Sequence, residues 1–114
     1  TSATYGASIT GGVQTLSGAG AADLTNLITE LTTAGGAAAV TLADGSTSGQ
    51  VKIINMIVDG GDSTFTITNP VDASNDVITF ADVGDYCLLM WVGTAWRVLE
   101  LGNDADGATA PGIA

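Results

Sequence analysis

The residues of this chain that could do chemistry are almost all carboxylates. The 114-residue sequence has 12 acidic side chains, one cysteine (Cys87) and no histidine, and its two basic residues are Lys52 and Arg97. The lack of histidine excludes a histidine-based triad and a histidine zinc site, and one cysteine cannot form a thiolate cluster or an intrachain disulfide. We therefore predict no catalytic residue, and no metal, cofactor or disulfide supporting the fold.

Aspartates occur in close pairs that could bind calcium or act as an acid–base pair. The pairs are Asp59 with Asp62, Asp72 with Asp76, and Asp82 with Asp85. None has the spacing of a calcium-binding loop, and all stand at predicted turns, where the aspartate carboxylate hydrogen-bonds nearby backbone. The pattern favours turn chemistry over calcium binding, and calcium binding over carboxylate catalysis.

The charge balance bears on the classes of partner. The formal net charge is −10 at pH 7. Such a chain repels phosphate-rich surfaces, which disfavours nucleic acid and anionic membranes as partners. No apolar run approaches the roughly 20 residues of a membrane-spanning helix, so we expect a soluble protein made in a cytosol.

Short runs of β-forming residues separated by turn signals dominate the chain and predict an all-β fold. Strands are expected near residues 12–17, 38–42, 50–59, 63–68, 77–80, 85–92 and 95–101. Residues 23–33 fit either a helix capped by Asp23 or a strand, and we favour extended structure. The expected architecture is an antiparallel sandwich or jelly-roll-like single domain over residues 1–114, with Gly/Ala-rich arms at 1–12 and 102–114.

The first of two predicted hairpins joins residues 50–59 to 62–68 through Gly60-Gly61. Paired glycines supply the positive φ angles of a two-residue turn. The resulting register would pair Met56 with Phe65 and Ile54 with Ile67.

The second predicted hairpin joins residues 85–92 to 95–101, with Gly93 at the first central position of a type II′ turn. Its register places Trp91 opposite Trp96, with Leu89 and Val98 on the same face. Two readings of the tryptophans stay open: a packed core or interface pair, or an exposed platform that stacks on sugars. Base rates of burial favour packing.

Apolar content is high for a small domain, which predicts contact with another chain. Hydrophobic residues make up 46% of the sequence and charged residues 12%. Residues 86–92 are apolar on both faces, and only Lys52 and Asn55 interrupt the same pattern in residues 51–58. This pattern is typical of strands covered on both sides. The candidate interface residues are Ile53, Ile57, Leu89, Trp91 and Trp96. We also expect the two arms to dock on neighbouring subunits, because Gly/Ala-rich segments bury little by themselves.

A series of motifs over roughly residues 37–101 resembles a module of tailed-bacteriophage structural proteins. The motifs are TLADG at 41–45, GQVKII at 49–54, VDGGD at 58–62, ITFADVGD at 78–85 and LLMWVGTAW at 88–96. In cyanophage-like and other aquatic phages this module belongs to head-decoration or fibre-type proteins. The resemblance implies a role in virion architecture and assigns no functional residue.

Composition and resemblance together predict a capsid decoration or cement protein and not an enzyme. It would be made in the host cytoplasm and lie on the outer surface of the capsid, where it binds and stabilises the major capsid protein lattice. The resemblance further implies a homo-oligomer, with a trimer preferred. The alternative is a tail-fibre or receptor-binding module that recognises host surface glycans, with Trp91 and Trp96 as the stacking residues.

Overall fold

The structure, a computed structural model that describes residues 11–105 and 109–114, is a sandwich of two five-stranded β-sheets. The described residues contain no helix, so the predicted all-β sandwich class is confirmed. The ten strands are β1 (Val13–Ser17), β2 (Gly20–Ala22), β3 (Ile28–Thr32), β4 (Ala38–Leu42), β5 (Val51–Val58), β6 (Ser63–Ile67), β7 (Val77–Phe80), β8 (Asp85–Trp91), β9 (Trp96–Asn103) and β10 (Gly112–Ile113).

The chain changes sheet after each of the first five strands, so both sheets are mixed and the expectation of a wholly antiparallel sandwich is wrong. The first sheet has the order β1-β3-β5-β8-β9 and the second has the order β10-β7-β6-β4-β2. Strands β1, β3 and β5 pair in parallel, as do β2, β4 and β6. Each parallel pair is joined by a crossover through the opposite sheet, because parallel neighbours cannot be joined by a tight turn. The remaining pairs, made by β7 to β10, are antiparallel.

The Gly60-Gly61 segment is a corner between the sheets, so the first predicted hairpin is wrong. Strand β5 lies in the first sheet and β6 in the second, and neither glycine has a positive φ. A Cβ at Gly60 would lie 2.4 Å from the Thr33 backbone oxygen, and one at Gly61 would lie 2.3 Å from the Gly36 oxygen. The two glycines therefore let this corner pack directly against the preceding corner. The two corners are also hydrogen-bonded, because the Gly35 and Gly36 N–H groups both donate to Gly60 O at 3.2 Å.

The terminal hairpin agrees with the sequence prediction in register and turn. Gly93 has φ +100°, and Val92 N–H donates to Ala95 O at 2.9 Å. Trp91 pairs with Trp96 across β8 and β9, and their rings meet edge-on with centroids 5.5 Å apart. Both tryptophans are buried, which confirms packing and removes them as an exposed sugar-stacking platform.

The core lies between the sheets and is built from alternate residues of each strand. This period of two follows from the pleat of a β-strand. The core is filled by apolar side chains that are almost completely buried. They include Leu31, Val40, Leu42, Ile54, Met56, Phe65, Ile67, Ile78, Phe80, Cys87, Leu89, Trp91 and Trp96. Cys87 is the buried small hydrophobe that the sequence predicts, and its burial raises the pKa of the thiol.

Residues 23–33, which fitted either a helix or a strand by sequence, contain no helix and are extended. Asp23 begins a turn by accepting the Asn26 N–H at 3.0 Å, and β3 follows. Strands β2 and β10 were not predicted, because Gly20–Ala22 and Gly112–Ile113 are too short and too poor in β-branched residues to give a strand signal.

The C-terminal arm docks on its own chain over the residues that the structure describes. Gly112 and Ile113 pair with Thr79 and Ile78 of β7, and Ala114 exchanges two 2.9 Å backbone hydrogen bonds with Val77. The expectation that this arm lies on a neighbouring subunit is therefore corrected for residues 109–114, since an open sheet edge in the same chain pairs with them. Residues 1–10 of the N-terminal arm lie outside the described residues.

We predict that Trp96 contributes more to stability than an exposed residue of the same hairpin. The side chain is 0% exposed, and its indole N–H donates to Ala43 O at 2.8 Å. Trp96→Ala should lower the free energy of unfolding by about 3–5 kcal/mol. Trp96→Phe should cost less, because it keeps much of the apolar bulk and loses a hydrogen bond worth about 1 kcal/mol.

Urea unfolding measures both changes. Val92→Thr, at an exposed neighbouring position, is the control and should stay within about 0.5 kcal/mol of the parent chain. A Trp96→Ala chain as stable as this control would show that the hairpin does not depend on the buried ring.

Candidate functional site

The outward-facing side of the first sheet carries a straight row of apolar side chains. Strand pairing aligns Val13 with Ile28, Ile28 with Ile53, and Ile53 with Leu88. We call these four residues the apolar row. Val13 is 53% exposed and the other three are half-buried. Their partial burial comes from packing against each other, because the described residues place no further layer over this face.

A second row, polar in character, runs beside the apolar row on the same face. It aligns Thr15, Glu30, Asn55 and Tyr86, and ends at Gly102 on β9. We call it the polar row. The Tyr86 ring lies over Gly102, where an added Cβ would come within 2.6 Å of the ring. Glycine at position 102 therefore leaves room for the Tyr86 ring to lie on the surface of the sheet.

Tyr86 is held at the end of the polar row by Glu100. Its hydroxyl donates a short hydrogen bond to the Glu100 carboxylate. This hydrogen bond is the main reason that the pKa of Tyr86 is raised, since losing the proton would put two negative charges together. The phenol is thus a proton donor fixed to an acidic group at the edge of the face.

A shallow depression of about 370 Å³ lies between the two rows. Its apolar wall is formed by Ile28, Ile53 and Leu88. Its polar or acidic wall is formed by Glu30, Asn55, Tyr86 and Asp104. Asn55 donates to Asp104 at 3.4 Å and also to Asp85 O at 3.2 Å. These contacts fix the polar wall. The arrangement suits a ligand with an apolar part and a positive charge.

The outward-facing side of the second sheet has a different character. Its central positions are mostly threonine and alanine: Ala39 aligns with Thr64 and Thr79, and Thr41 aligns with Thr66, whose partner on β7 is Val77. Large apolar side chains are therefore concentrated on the outer face of the first sheet.

A buried lysine is the other conspicuous polar feature. Lys52 is 1% exposed and points between the sheets, where its ammonium donates to Asn26 O at 2.9 Å and lies 3.5 Å from the Asp23 carboxylate. Burial lowers the pKa of Lys52, and the charge of Asp23 opposes this shift only in part. The pKa of Asp23 is lowered because hydrogen bonds from Asn26 and the Lys52 charge outweigh the effect of burial.

The polar groups around Lys52 are satisfied by one another. Thr29 Oγ1 donates to Gln14 Oε1 at 2.7 Å, and the same oxygen accepts the Asp23 N–H at 2.9 Å. Gln50 Nε2 donates to Leu24 O at 3.3 Å. This network fastens the connection between β2 and β3 to the sheet, so its role is structural.

Three of the six paired aspartates, Asp59, Asp72 and Asp85, accept turn N–H groups as the sequence predicts. Asp72 accepts the Ser74 N–H at 3.0 Å and the Ser74 hydroxyl at 2.7 Å. Asp59 accepts the Gly61 N–H at 3.1 Å. Asp85 accepts the N–H groups of Ala81 at 2.9 Å and of Asp82 at 3.1 Å.

Five residues were predicted as interface residues, and the structure separates them. Leu89, Trp91 and Trp96 are core residues, so the single chain already covers them and their side chains are not available to a partner. Ile53 lies in the apolar row. Ile57 is 37% exposed and lies next to the irregularity that shifts the pairing of β3 with β5.

Sequence reasoning missed Ile28 and Leu88, and it gave no role to Glu30 or Tyr86. Alternation within residues 86–92 could have identified Leu88, since Leu89 and Trp91 occupy the opposite face. Ile28 could not be found this way, because residues 23–33 fitted two secondary structures and the parallel pairing of β3 with β5 has no local signal.

Comparisons with known proteins do not assign this surface. No family model and no curated protein matches the chain. Within residues 11–105 and 109–114, no group of three or more cysteine or carboxylate side chains is placed to hold a metal ion. No helix in the same ranges is long and apolar enough to cross a membrane.

We predict a pH dependence of stability that Lys52 causes. Because burial lowers its pKa in the folded chain, the unfolded chain binds this proton more tightly between that lowered pKa and 10.5. The contribution of Lys52 to the free energy of unfolding should therefore rise as the pH increases through this window. Lys52→Met should remove the rise, because methionine keeps an unbranched side chain one atom shorter than lysine and has no titrating group.

Urea unfolding of both chains between pH 7 and 10.5 tests this. Cys87 has a raised pKa in the folded chain and opposes the trend at high pH, so the quantity to follow is the difference between parent and Lys52→Met. A difference that stays constant across the window would contradict the assignment.

Proposed function

We propose that this chain is a virion structural protein of a tailed bacteriophage, a capsid decoration or cement protein that binds and stabilises the major capsid protein lattice. The observation that carries the proposal is the apolar row, Val13, Ile28, Ile53 and Leu88, in register on the outer face of the first sheet. Together with the sequence resemblance, this face supports an adhesive role.

The size of the face supports binding in several copies. Five strands spaced about 4.8 Å apart give a width of roughly 19 Å. A patch of this width and a few residue rows deep covers a few hundred Å², less than the roughly 800 Å² that each partner contributes to a standard interface. One copy would therefore bind weakly, and linked copies would bind much more tightly because the later contacts become intramolecular. A homotrimer, which the resemblance implies, meets this requirement.

The chemistry of the chain supports adhesion over catalysis. The sequence has no histidine, the single thiol is buried, and the paired aspartates hold turns. The acidic surface also suits dense display on a particle, since like-charged copies repel one another except where specific contacts form.

The tail-fibre alternative loses its named site. It required Trp91 and Trp96 to stack on sugars, and both are buried in the core. The described residues present no exposed pair of aromatic side chains that could replace them.

The copy number of the protein in virions tests this proposal. In purified particles of the phage that encodes the chain, quantitative mass spectrometry should find it near parity with the major capsid protein. In solution, light scattering should give three times the 11.3 kDa chain mass. A few copies per particle would instead indicate a fibre, and absence from particles would reject a virion role.

A further inference from the structure

The apolar row has acidic side chains on one side and at its β9 end. Glu100 aligns with Leu88 at the β9 end of the row, while Glu30 and Asp104 form part of the opposite wall of the depression. Arg97, on the same face, aligns with Met90 and not with the apolar row. The face therefore combines an apolar strip with an excess of negative charge.

A second copy of the chain is a poor occupant of this face. Each copy would bring the same acidic border, and the sequence offers only two cations against 12 carboxylates. Lys52 is buried, which leaves Arg97 as the basic side chain available to a partner. Pairing two such faces would oppose like charges, and charge opposition of this kind disfavours a partner strongly.

We propose that the outer face of the first sheet binds a protein segment in which lysine or arginine alternates with apolar residues. The apolar side chains, and the aliphatic stem of the cation, would lie on Ile53 and Leu88. The charged end would lie beside Glu30 and Asp104. Long cationic side chains are suited to this arrangement because they cover apolar surface while the charge stays at a polar edge.

In the virion this segment would belong to the major capsid protein, so the identity of the partner depends on the proposed function. The chemistry of the contact does not depend on it. The face selects by charge sign and by apolar spacing, and both can be tested without a phage particle.

The test is a titration of the isotope-labelled full chain with synthetic peptides, followed by NMR chemical shifts. The probe is a soluble peptide of alternating valine and lysine. One matched peptide has glutamate in place of lysine, and another has serine in place of valine. The valine–lysine peptide should shift resonances of β3, β5 and β8. Each matched peptide should bind at least about tenfold more weakly, because it lacks either the charge contacts or the apolar contacts.

Variants of the chain give the second half of the test. Glu30→Gln combined with Asp104→Asn should weaken binding about tenfold, and Ile53→Thr should do so while keeping a β-branched residue in the strand. Asp72→Asn combined with Asp76→Asn removes the same charge from the connection between β6 and β7, and should change binding less than about twofold.

Equal loss from both pairs of charge variants would overturn the proposal, because binding would then follow net charge and not this face. Equal binding of the glutamate peptide would also overturn it. So would a fall in the oligomeric mass of Ile53→Thr measured by light scattering, since the face would then be covered by a second copy. A virion copy number that rejects the decoration role would leave the peptide result standing.

Discussion

Every strand of this protein must bury one of its two faces between the sheets, and the chain meets this constraint by changing sheet after each of the first five strands. Parallel neighbours then stack in register, and the corners that join the sheets stack as well. Thr33 shows how tightly this occurs: its hydroxyl donates to Gly61 O at 2.6 Å and accepts the Gly60 N–H at 2.9 Å. Glycine at 60 and 61 leaves room for this approach.

Alignment of the inner faces also aligns the outer faces. Because side chains alternate along a strand, a register that aligns Thr29, Ile54 and Cys87 on the inner face aligns Ile28, Ile53 and Leu88 on the outer face. The apolar row is thus a consequence of the core register combined with the choice of apolar residues at outward positions. Threonine and alanine at the equivalent positions of the second sheet show that the fold itself does not require them.

Most of the longer strands could be predicted from sequence, whereas β2 and β10 could not, and strand partners could be predicted only where the pairing is local. Residues 85–101 form a hairpin with two-residue turn chemistry, so the Trp91–Trp96 pair followed from Gly93 alone. Gly60-Gly61 has equally strong turn chemistry, yet these glycines serve close packing of two corners, and nothing in residues 50–68 distinguishes the two uses. The parallel pairing of β1, β3 and β5 links residues far apart in sequence, which local patterns do not encode. For the same reason Ile53 was the one predicted interface residue that lies in the apolar row.

Two uses of charge are separated in this molecule. Lys52 is paired with Asp23 inside a hydrogen-bonded network that fixes a connection. Glu30, Glu100 and Asp104 instead lie on one side and at one end of an uncovered apolar strip. The first arrangement stabilises the fold, and the second gives the outer face of the first sheet a preference for a basic, partly apolar partner. The function that we propose depends on this face being covered in the assembled particle.

The most direct measurement is a density map of the intact virion at a resolution that shows strands. We predict density for this sandwich on the outer surface of the capsid, with the side that carries Ile28, Ile53 and Leu88 against the major capsid protein. A map in which this side faces solvent, while the threonine-bearing side of the second sheet contacts the lattice, would contradict it.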